Sequence, residues 1–70
     1  MKREDVVIGE RYKLIKNRRD ALNGFESGET IVVMRIDYNE NLQIKVRQCR
    51  RDWVDGYTDA SNLEEIGGKR

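Results

Sequence analysis

Residues 42–48, "LQIKVRQ", show the most regular alternation of hydrophobic and polar positions in the chain. The hydrophobic positions are Leu42, Ile44 and Val46, and the polar positions are Gln43, Lys45 and Arg47. Because successive side chains of a strand point to opposite faces, this pattern predicts a half-buried antiparallel strand. The segment 30–38, "TIVVMRIDY", is rich in β-branched residues, and residues 39–41 have turn chemistry, so a hairpin is predicted here.

Three further strands are predicted from short apolar segments on either side of this hairpin. The segment "RYKLIK" (11–16) predicts a first strand, "WVDGYT" (53–58) predicts one weakened by a glycine, and a last strand is expected around residues 65–66. Residues 17–29 combine glycines and asparagines with isolated apolar residues, which indicates a long loop, with one helical turn at residues 19–22 as the alternative. Short strands at this spacing predict an all-β fold, a small five-stranded barrel.

The acidic stretch "GYTDASNLEEI" near the end of the chain is predicted to close this fold. Ser61, followed three residues later by Glu64, fits the capping-box pattern. Asp59 is the alternative cap. One short 3₁₀ or α turn is therefore expected before the last strand, with Leu63 and Ile66 pointing inward.

Four carboxylates of this region are of a type that binds hard cations. They are Asp55, Asp59, Glu64 and Glu65. Their spacing is not that of an EF-hand loop, and no glycine occupies the sharp-turn position. We therefore expect a structural role for this stretch, with no metal site and no catalytic residue.

The chain is expected to form one small domain with short flanking segments. A chain of 70 residues buries only about 60% of its unfolded surface, so its stability is marginal. Residues 9–66 are predicted to form the barrel. Residues 1–8 are expected to be a partly ordered arm whose apolar residues pack or pair, and residues 67–70, "GGKR", a flexible tail.

With its elements in this order, the chain resembles the small SH3-like barrel proteins of bacteria and their phages. A strand at 11–16 is followed by a loop at 17–28 that is similar to the RT loop, by Gly28 and Glu29 before a hydrophobic strand, and by a hairpin. The stretch "GYTDASNLEEI" is similar to the Gly-aromatic pair, Ser-Asn turn and final strand that end such barrels. The resemblance covers about residues 9–66 and implies an SH3-like fold.

The resemblance does not extend to the residues with which SH3 domains bind proline-rich peptides. Those domains start with an "ALYDY"-type segment, where this chain has "RYKLIK". They open the strand after the hairpin turn with tryptophan, where this chain has Asn41 and Leu42, and they close with proline and tyrosine, where it has Ala60 and Leu63. Because a PxxP groove needs aromatic walls, recognition of that kind is not expected.

The composition excludes several kinds of chemistry. The chain has no histidine and one cysteine, so acid–base catalysis by histidine, a Cys-rich zinc site and an internal disulfide are excluded. Cys49 is expected to be a semi-buried structural thiol. No phosphate-binding glycine loop is present, and the first residues lack an apolar run typical of a signal peptide or membrane span. We expect a cytoplasmic protein without enzymatic activity or cofactor.

Charge is unevenly distributed although the net charge is only +1. Basic residues are concentrated in segment 41–51 and acidic residues in segment 52–66. A nucleic-acid surface is predicted, as an alternative function, from Lys45, Arg47, Arg50, Arg51, Arg18 and Arg19. Guanidinium groups suit phosphates, and Trp53 or Tyr57 would stack on bases. Lysine and arginine on the outer face of a strand are also ordinary solubilising residues and can pair with Glu29, Asp37 or Asp52, and this interpretation is favoured because the net charge is only +1.

Trp53 is the only tryptophan and is the first candidate for a protein contact, since tryptophan is enriched at interface hot spots. A position in the core is the competing interpretation. The predicted protein-binding surface comprises Trp53, Tyr38, Arg47 and Arg51, with Arg18, Arg19 and Phe25 from the long loop. We expect a non-enzymatic interaction module, a small bacterial or phage accessory protein that binds and modulates a larger host or viral protein.

Overall fold

The computed structural model describes residues 2–15, 22, 24–37 and 44–66, and these form a five-stranded antiparallel sheet. The strands are β1 (Arg11–Leu14), β2 (Thr30–Ile36), β3 (Ile44–Gln48), β4 (Asp55–Thr58) and β5 (Leu63–Glu64). Two 3₁₀ turns, Arg3–Asp5 and Ala60–Asn62, are the only helical elements of the described residues. The strand order is β4-β3-β2-β1-β5, and the sheet is open. The prediction of an all-β fold with five strands is confirmed, whereas the closed barrel that was also predicted is not, because β4 and β5 at the two edges are not paired with each other.

The alternation predicted for the central strand is confirmed at every position that the structure describes. Ile44 and Val46 are fully buried, whereas Lys45 and Arg47 lie on the outer face. Gln48 continues the inward set and is also fully buried. Leu42 and Gln43 lie outside the described residues. The inward side chains of β3 pack with Ile31 and Val33 of β2, and the core follows from period-two burial on both strands.

The register of β2 against β3 shifts by one residue between Val33 and Arg35. Val33 faces Val46 and Arg35 faces Lys45, so Met34 is the extra residue on β2. An extra residue of this kind bends a strand and increases its local twist. The bend keeps Arg35 beside Lys45 on the outer face while Ile36 packs against the core.

The N-terminal segment is attached to the sheet by hydrogen bonds. Gly9 N–H donates to the Val33 carbonyl at 2.8 Å, and Val33 N–H donates to the Glu10 carbonyl at 3.1 Å. Val6 is buried in the core, whereas Val7 is exposed. Gly9 has a φ of 92°, a conformation that favours glycine. Gly9 and Glu10 therefore pair with β2 as a continuation of β1, and the apolar side chain of Val7 remains open to solvent.

The closing turn and the last strand differ from their prediction in three ways. Asp59, the alternative cap, caps the 3₁₀ turn by accepting a hydrogen bond from Ala60 N–H at 2.8 Å, whereas Ser61 lies inside the turn. The last strand is Leu63–Glu64, so its predicted position around residues 65–66 is wrong; Leu63 is buried, as predicted, and lies opposite Leu14. Ile66 is 47% exposed, so the prediction that it points inward is wrong. The strand ends two residues before it, at Glu64, and the chain then leaves the core.

Among the described residues, no helix has the length and apolar character needed to cross a bilayer.

Candidate interaction surface

Trp53 lies in the turn between β3 and β4 with its side chain in solvent, 75% exposed. Two backbone hydrogen bonds hold this turn: Val54 N–H donates to the Arg51 carbonyl at 3.1 Å, and Gln48 N–H to the Val54 carbonyl at 3.0 Å. Val54 packs against the core on the other side. Burial of Val54 therefore fixes the turn, while the indole of Trp53 projects away from the domain.

Lys45 and Arg47 share the outer face of β3, as predicted, and both pair with Asp55 of the neighbouring strand. Arg47 donates two hydrogen bonds to the carboxylate, at 2.6 and 3.2 Å, and the Lys45 ammonium lies 3.7 Å from it. Asp55 faces Arg47 directly in the register of β3 and β4. The hydrogen bond from Arg47 lowers the pKa of the Asp55 carboxyl below its ordinary value, because it favours the charged form. Two cations thus share one carboxylate, and the positive charge of the outer face of this strand is partly neutralised.

Arg50 and Arg51 turn away from this face and contact the long loop. Arg51 Nε donates to the Gln48 side chain at 3.0 Å, and Arg51 Nη2 donates to the Gly24 carbonyl at 3.0 Å. Arg51 therefore does not join Lys45 and Arg47 on the outer face of β3. The strand ends at Gln48, and in the turn that follows the side chains no longer alternate between the two faces of the sheet.

We call the contacts between the end of β3 and the long loop the loop latch, formed by Gly24, Glu29, Gln48, Arg50 and Arg51. The buried Gln48 amide donates to the Gly24 carbonyl at 2.8 Å and to the Glu29 carboxylate at 3.1 Å. Arg50 Nε donates to the other Glu29 oxygen at 3.1 Å. A buried polar group is stable only when it is hydrogen-bonded, and here Gln48 uses both its amide nitrogen and its oxygen.

Glu29 gives the loop latch a dependence on pH. Burial of the carboxylate acts to raise its pKa, but hydrogen bonds from the Glu26 backbone, Gln48 and Arg50 outweigh burial and hold the pKa below its ordinary value of 4.5. The unfolded chain therefore binds more protons than the folded chain as the pH falls. The contribution of Glu29 to stability is present above about pH 4.5 and is lost as the pH falls through its folded-state pKa.

We expect Glu29→Gln to flatten the acid side of the plot of unfolding free energy against pH, measured by urea denaturation at a series of pH values. Arg50→Gln, which removes one donor and keeps the carboxylate, should retain a dependence on pH whose midpoint lies closer to 4.5. An acid limb of unchanged slope in Glu29→Gln would show that Glu29 does not contribute to it.

The remaining residues of the predicted surface are either outside the described residues or less exposed than predicted. Arg18, Arg19 and Tyr38 lie outside the described residues. Phe25 is a core residue, 3% exposed, so its ring is not available to a partner. The sequence did not indicate that Phe25 is buried, because it is an isolated apolar residue in a segment rich in glycine and polar residues. It is buried only because this part of the loop folds onto β3. Tyr57 is half-buried, and its hydroxyl accepts a hydrogen bond from Arg35 at 3.1 Å.

One feature of the surface was missed by sequence reasoning: an open groove of about 960 Å³ between the N-terminal segment and the outer face of the sheet. Val7 and Ile66 line it, and so does the Cys49 side chain, which is exposed, contrary to the prediction of a semi-buried thiol. The apolar residues before Gly9 were the signal in the sequence that could have indicated the groove, because they predicted that this segment packs or pairs.

The described residues contain no group of three or more acidic, cysteine or histidine side chains arranged to hold a metal ion.

Comparison with protein families, characterised proteins and solved structures finds no match to this chain. The geometry of the described residues is therefore the basis on which a function is proposed.

Proposed function

We propose that the chain is a non-enzymatic protein-interaction module with an SH3-like architecture. The strand order β4-β3-β2-β1-β5, the bend in β2 and the 3₁₀ turn before the last strand support this architecture. In the setting expected from the resemblance, it is a small cytoplasmic accessory protein of a bacterium or phage that modulates a larger host or viral protein.

The exposed indole of Trp53 is the observation on which this proposal depends. A side chain of this kind buries roughly 150–250 Å² when a partner covers it. At about 25 cal/mol per Å², covering it contributes roughly 4–6 kcal/mol before the entropic cost of association. The chain has a single tryptophan and a small core, yet this residue lies outside that core. Docking explains the position better than folding does.

The surroundings of Trp53 support a role in docking rather than in chemistry. The turn is fixed by two backbone hydrogen bonds, so little order is lost when a partner covers the indole. The neighbouring Arg51 is engaged in the loop latch, and Asp52 provides a charge for steering.

The nucleic-acid alternative has weaker support, because its basic side chains already have partners. Lys45 and Arg47 share Asp55, and Arg50 pairs with Glu29 at 3.1 Å. A phosphate would have to displace these carboxylates, and its net gain would be correspondingly small. No observation of the described residues favours this alternative over a protein partner.

We expect Trp53→Ala to abolish capture of a specific protein from a lysate of the source cells, while the free energy of unfolding changes by less than about 0.5 kcal/mol. The lysate is tested with and without nuclease, and captured proteins are identified by mass spectrometry. Trp53→Phe keeps an aromatic side chain at the same position and should retain most of the capture. A protein recovered equally by the wild type and Trp53→Ala, or recovered only without nuclease, would contradict the proposal.

A further inference from the structure

The groove between the N-terminal segment and the sheet combines an apolar surface with a fixed wall. Val7 is 53% exposed, Ile66 is 47% exposed, and Val32 of β2 forms part of the floor. Its volume of about 960 Å³ is at the upper end of the range of small ligand sites, which is suited to a short peptide segment. The apolar area is available without any rearrangement of the core.

The wall of the groove is held in place by the hydrogen bonds of the N-terminal segment. Val7 N–H donates to the Tyr12 hydroxyl at 2.9 Å, and Glu10 N–H donates to the Val7 carbonyl at 3.2 Å. The bonds that Gly9 and Glu10 make with Val33 attach the same segment to β2. A site formed in advance loses less entropy on binding than one that must be ordered by its ligand.

The charges around the groove determine which kind of segment fits it. The lining contains four carboxylates, those of Asp5, Glu10, Asp52 and Glu65. None of these has an ion pair within the described part of the chain. The lining has two guanidinium groups, those of Arg11 and Arg47, and Arg47 both pairs with Asp55 and attracts Asp52. Four carboxylates therefore stand against two guanidinium groups in the lining, and the groove as a whole favours positive charge.

We propose that this groove binds a cationic segment of the partner protein, an extended peptide in which lysine or arginine alternates with apolar side chains. This rests on the proposed function and adds the chemistry of the partner. The apolar side chains cover Val7, Val32 and Ile66, and the cationic side chains reach the carboxylates at the edges. Asp52 connects the groove to the turn that carries Trp53, so one partner can contact both.

Cys49 provides a direct probe of the groove, since it is the only cysteine, it is exposed, and it lines the groove. We expect a synthetic peptide of sequence Lys-Leu-Lys-Leu-Lys-Leu, in which cationic and apolar side chains alternate, to slow alkylation of Cys49 by iodoacetamide several-fold at saturation. The matched peptide with glutamate in place of each lysine should not slow it. The protection should weaken as salt is raised, because exposed charges are screened. Equal protection by both peptides, or by neither, would overturn the proposal.

Charge variants then test whether the acidic lining is responsible. Glu10→Gln and Glu65→Gln should each weaken binding of the lysine peptide by about two- to five-fold, in the range of exposed ion pairs. Glu26→Gln, which removes an exposed carboxylate outside the groove, should leave binding unchanged. Equal effects of all three variants would contradict a site in the groove.

The failure of this proposal is distinguishable from a failure of the proposed function. If the lysine peptide does not protect Cys49 while capture still depends on Trp53, the partner docks elsewhere and the groove proposal is wrong. If protection is specific but capture does not depend on Trp53, the proposed role of the indole is wrong. A dimer that is dissociated by Glu10→Gln in sedimentation experiments would mean that a second copy occupies the groove, and this would also overturn the proposal.

Discussion

Replacement of Ile44 with alanine is expected to lower the free energy of unfolding by about 2–5 kcal/mol, the range for removing a large aliphatic side chain from a core. Ile44 is fully buried on β3 and packs within the core cluster. A domain of this size rarely has more than about 3–5 kcal/mol of stability, so the variant should be largely unfolded at room temperature. Urea denaturation followed by far-ultraviolet circular dichroism measures the loss.

The same substitution at Ile66 is the matched control. Ile66 is 47% exposed and lies beyond the last strand, so Ile66→Ala should change the free energy of unfolding by less than about 0.5 kcal/mol. Equal losses in the two variants would contradict the exposure of Ile66 and restore the prediction that it closes the core. The pair therefore tests the boundary of the core at the end of the chain.

Replacement of Gln48 with leucine is expected to cost about 1–3 kcal/mol, because it removes three hydrogen bonds at a fully buried position and places an apolar side chain against the polar groups of Gly24, Glu29 and Arg51. The loss should be accompanied by faster hydrogen exchange of Gly28 N–H, which donates to the Leu14 carbonyl where the loop returns to the sheet. Nuclear magnetic resonance measures the exchange, and urea denaturation measures the stability.

Arg47→Leu provides the control for Gln48→Leu on the same strand. Arg47 lies on the outer face and loses only an exposed ion pair with Asp55, so a loss below about 1 kcal/mol is expected. Exchange of Gly28 N–H should stay as in the wild type. If Gln48→Leu were no more harmful than Arg47→Leu, the loop latch would not fix the long loop.

The two strands of the hairpin could be predicted because the residues that determine each strand lie close together in the chain. Period two at residues 44–47 places Ile44 and Val46 inward, and the β-branched composition of β2 predicts its strand. The burial of Leu63 could also be predicted, because the turn residues that precede it act over a few positions of the chain. Where alternation acts within a few positions, as at residues 44–47, sequence and structure agree.

The parts that could not be predicted depend on contacts between distant segments. Gln48 is buried because the Gly24 carbonyl and Glu29 approach it across the fold, 24 and 19 residues away in the chain. Asp59, not Ser61, caps the turn, because both residue types suit a cap and only the path of the chain chooses between them. The groove likewise requires the N-terminal segment to lie against β2, which no local pattern specifies.

The same limit applies to the candidate surface. Trp53 was equally consistent with the core and with an interface, since a single tryptophan has no periodic neighbours that would decide between them. The basic residues were predicted to form one surface, but the end of β3 divides those that the structure describes into a group that pairs with Asp55 and a group that forms the loop latch. Charge in the sequence thus indicates where basic groups are, and only the fold shows which of them are already paired.

Acrylamide quenching of Trp53 fluorescence tests the proposed docking role most directly, because the only tryptophan makes the signal specific to one side chain. In the free folded chain, quenching should be nearly as efficient as in the chain unfolded by urea, since the side chain is 75% exposed. Saturation with the captured partner should reduce the quenching constant severalfold, with a shift of the emission to shorter wavelength. Unchanged quenching in the complex would contradict the proposal that Trp53 anchors the partner.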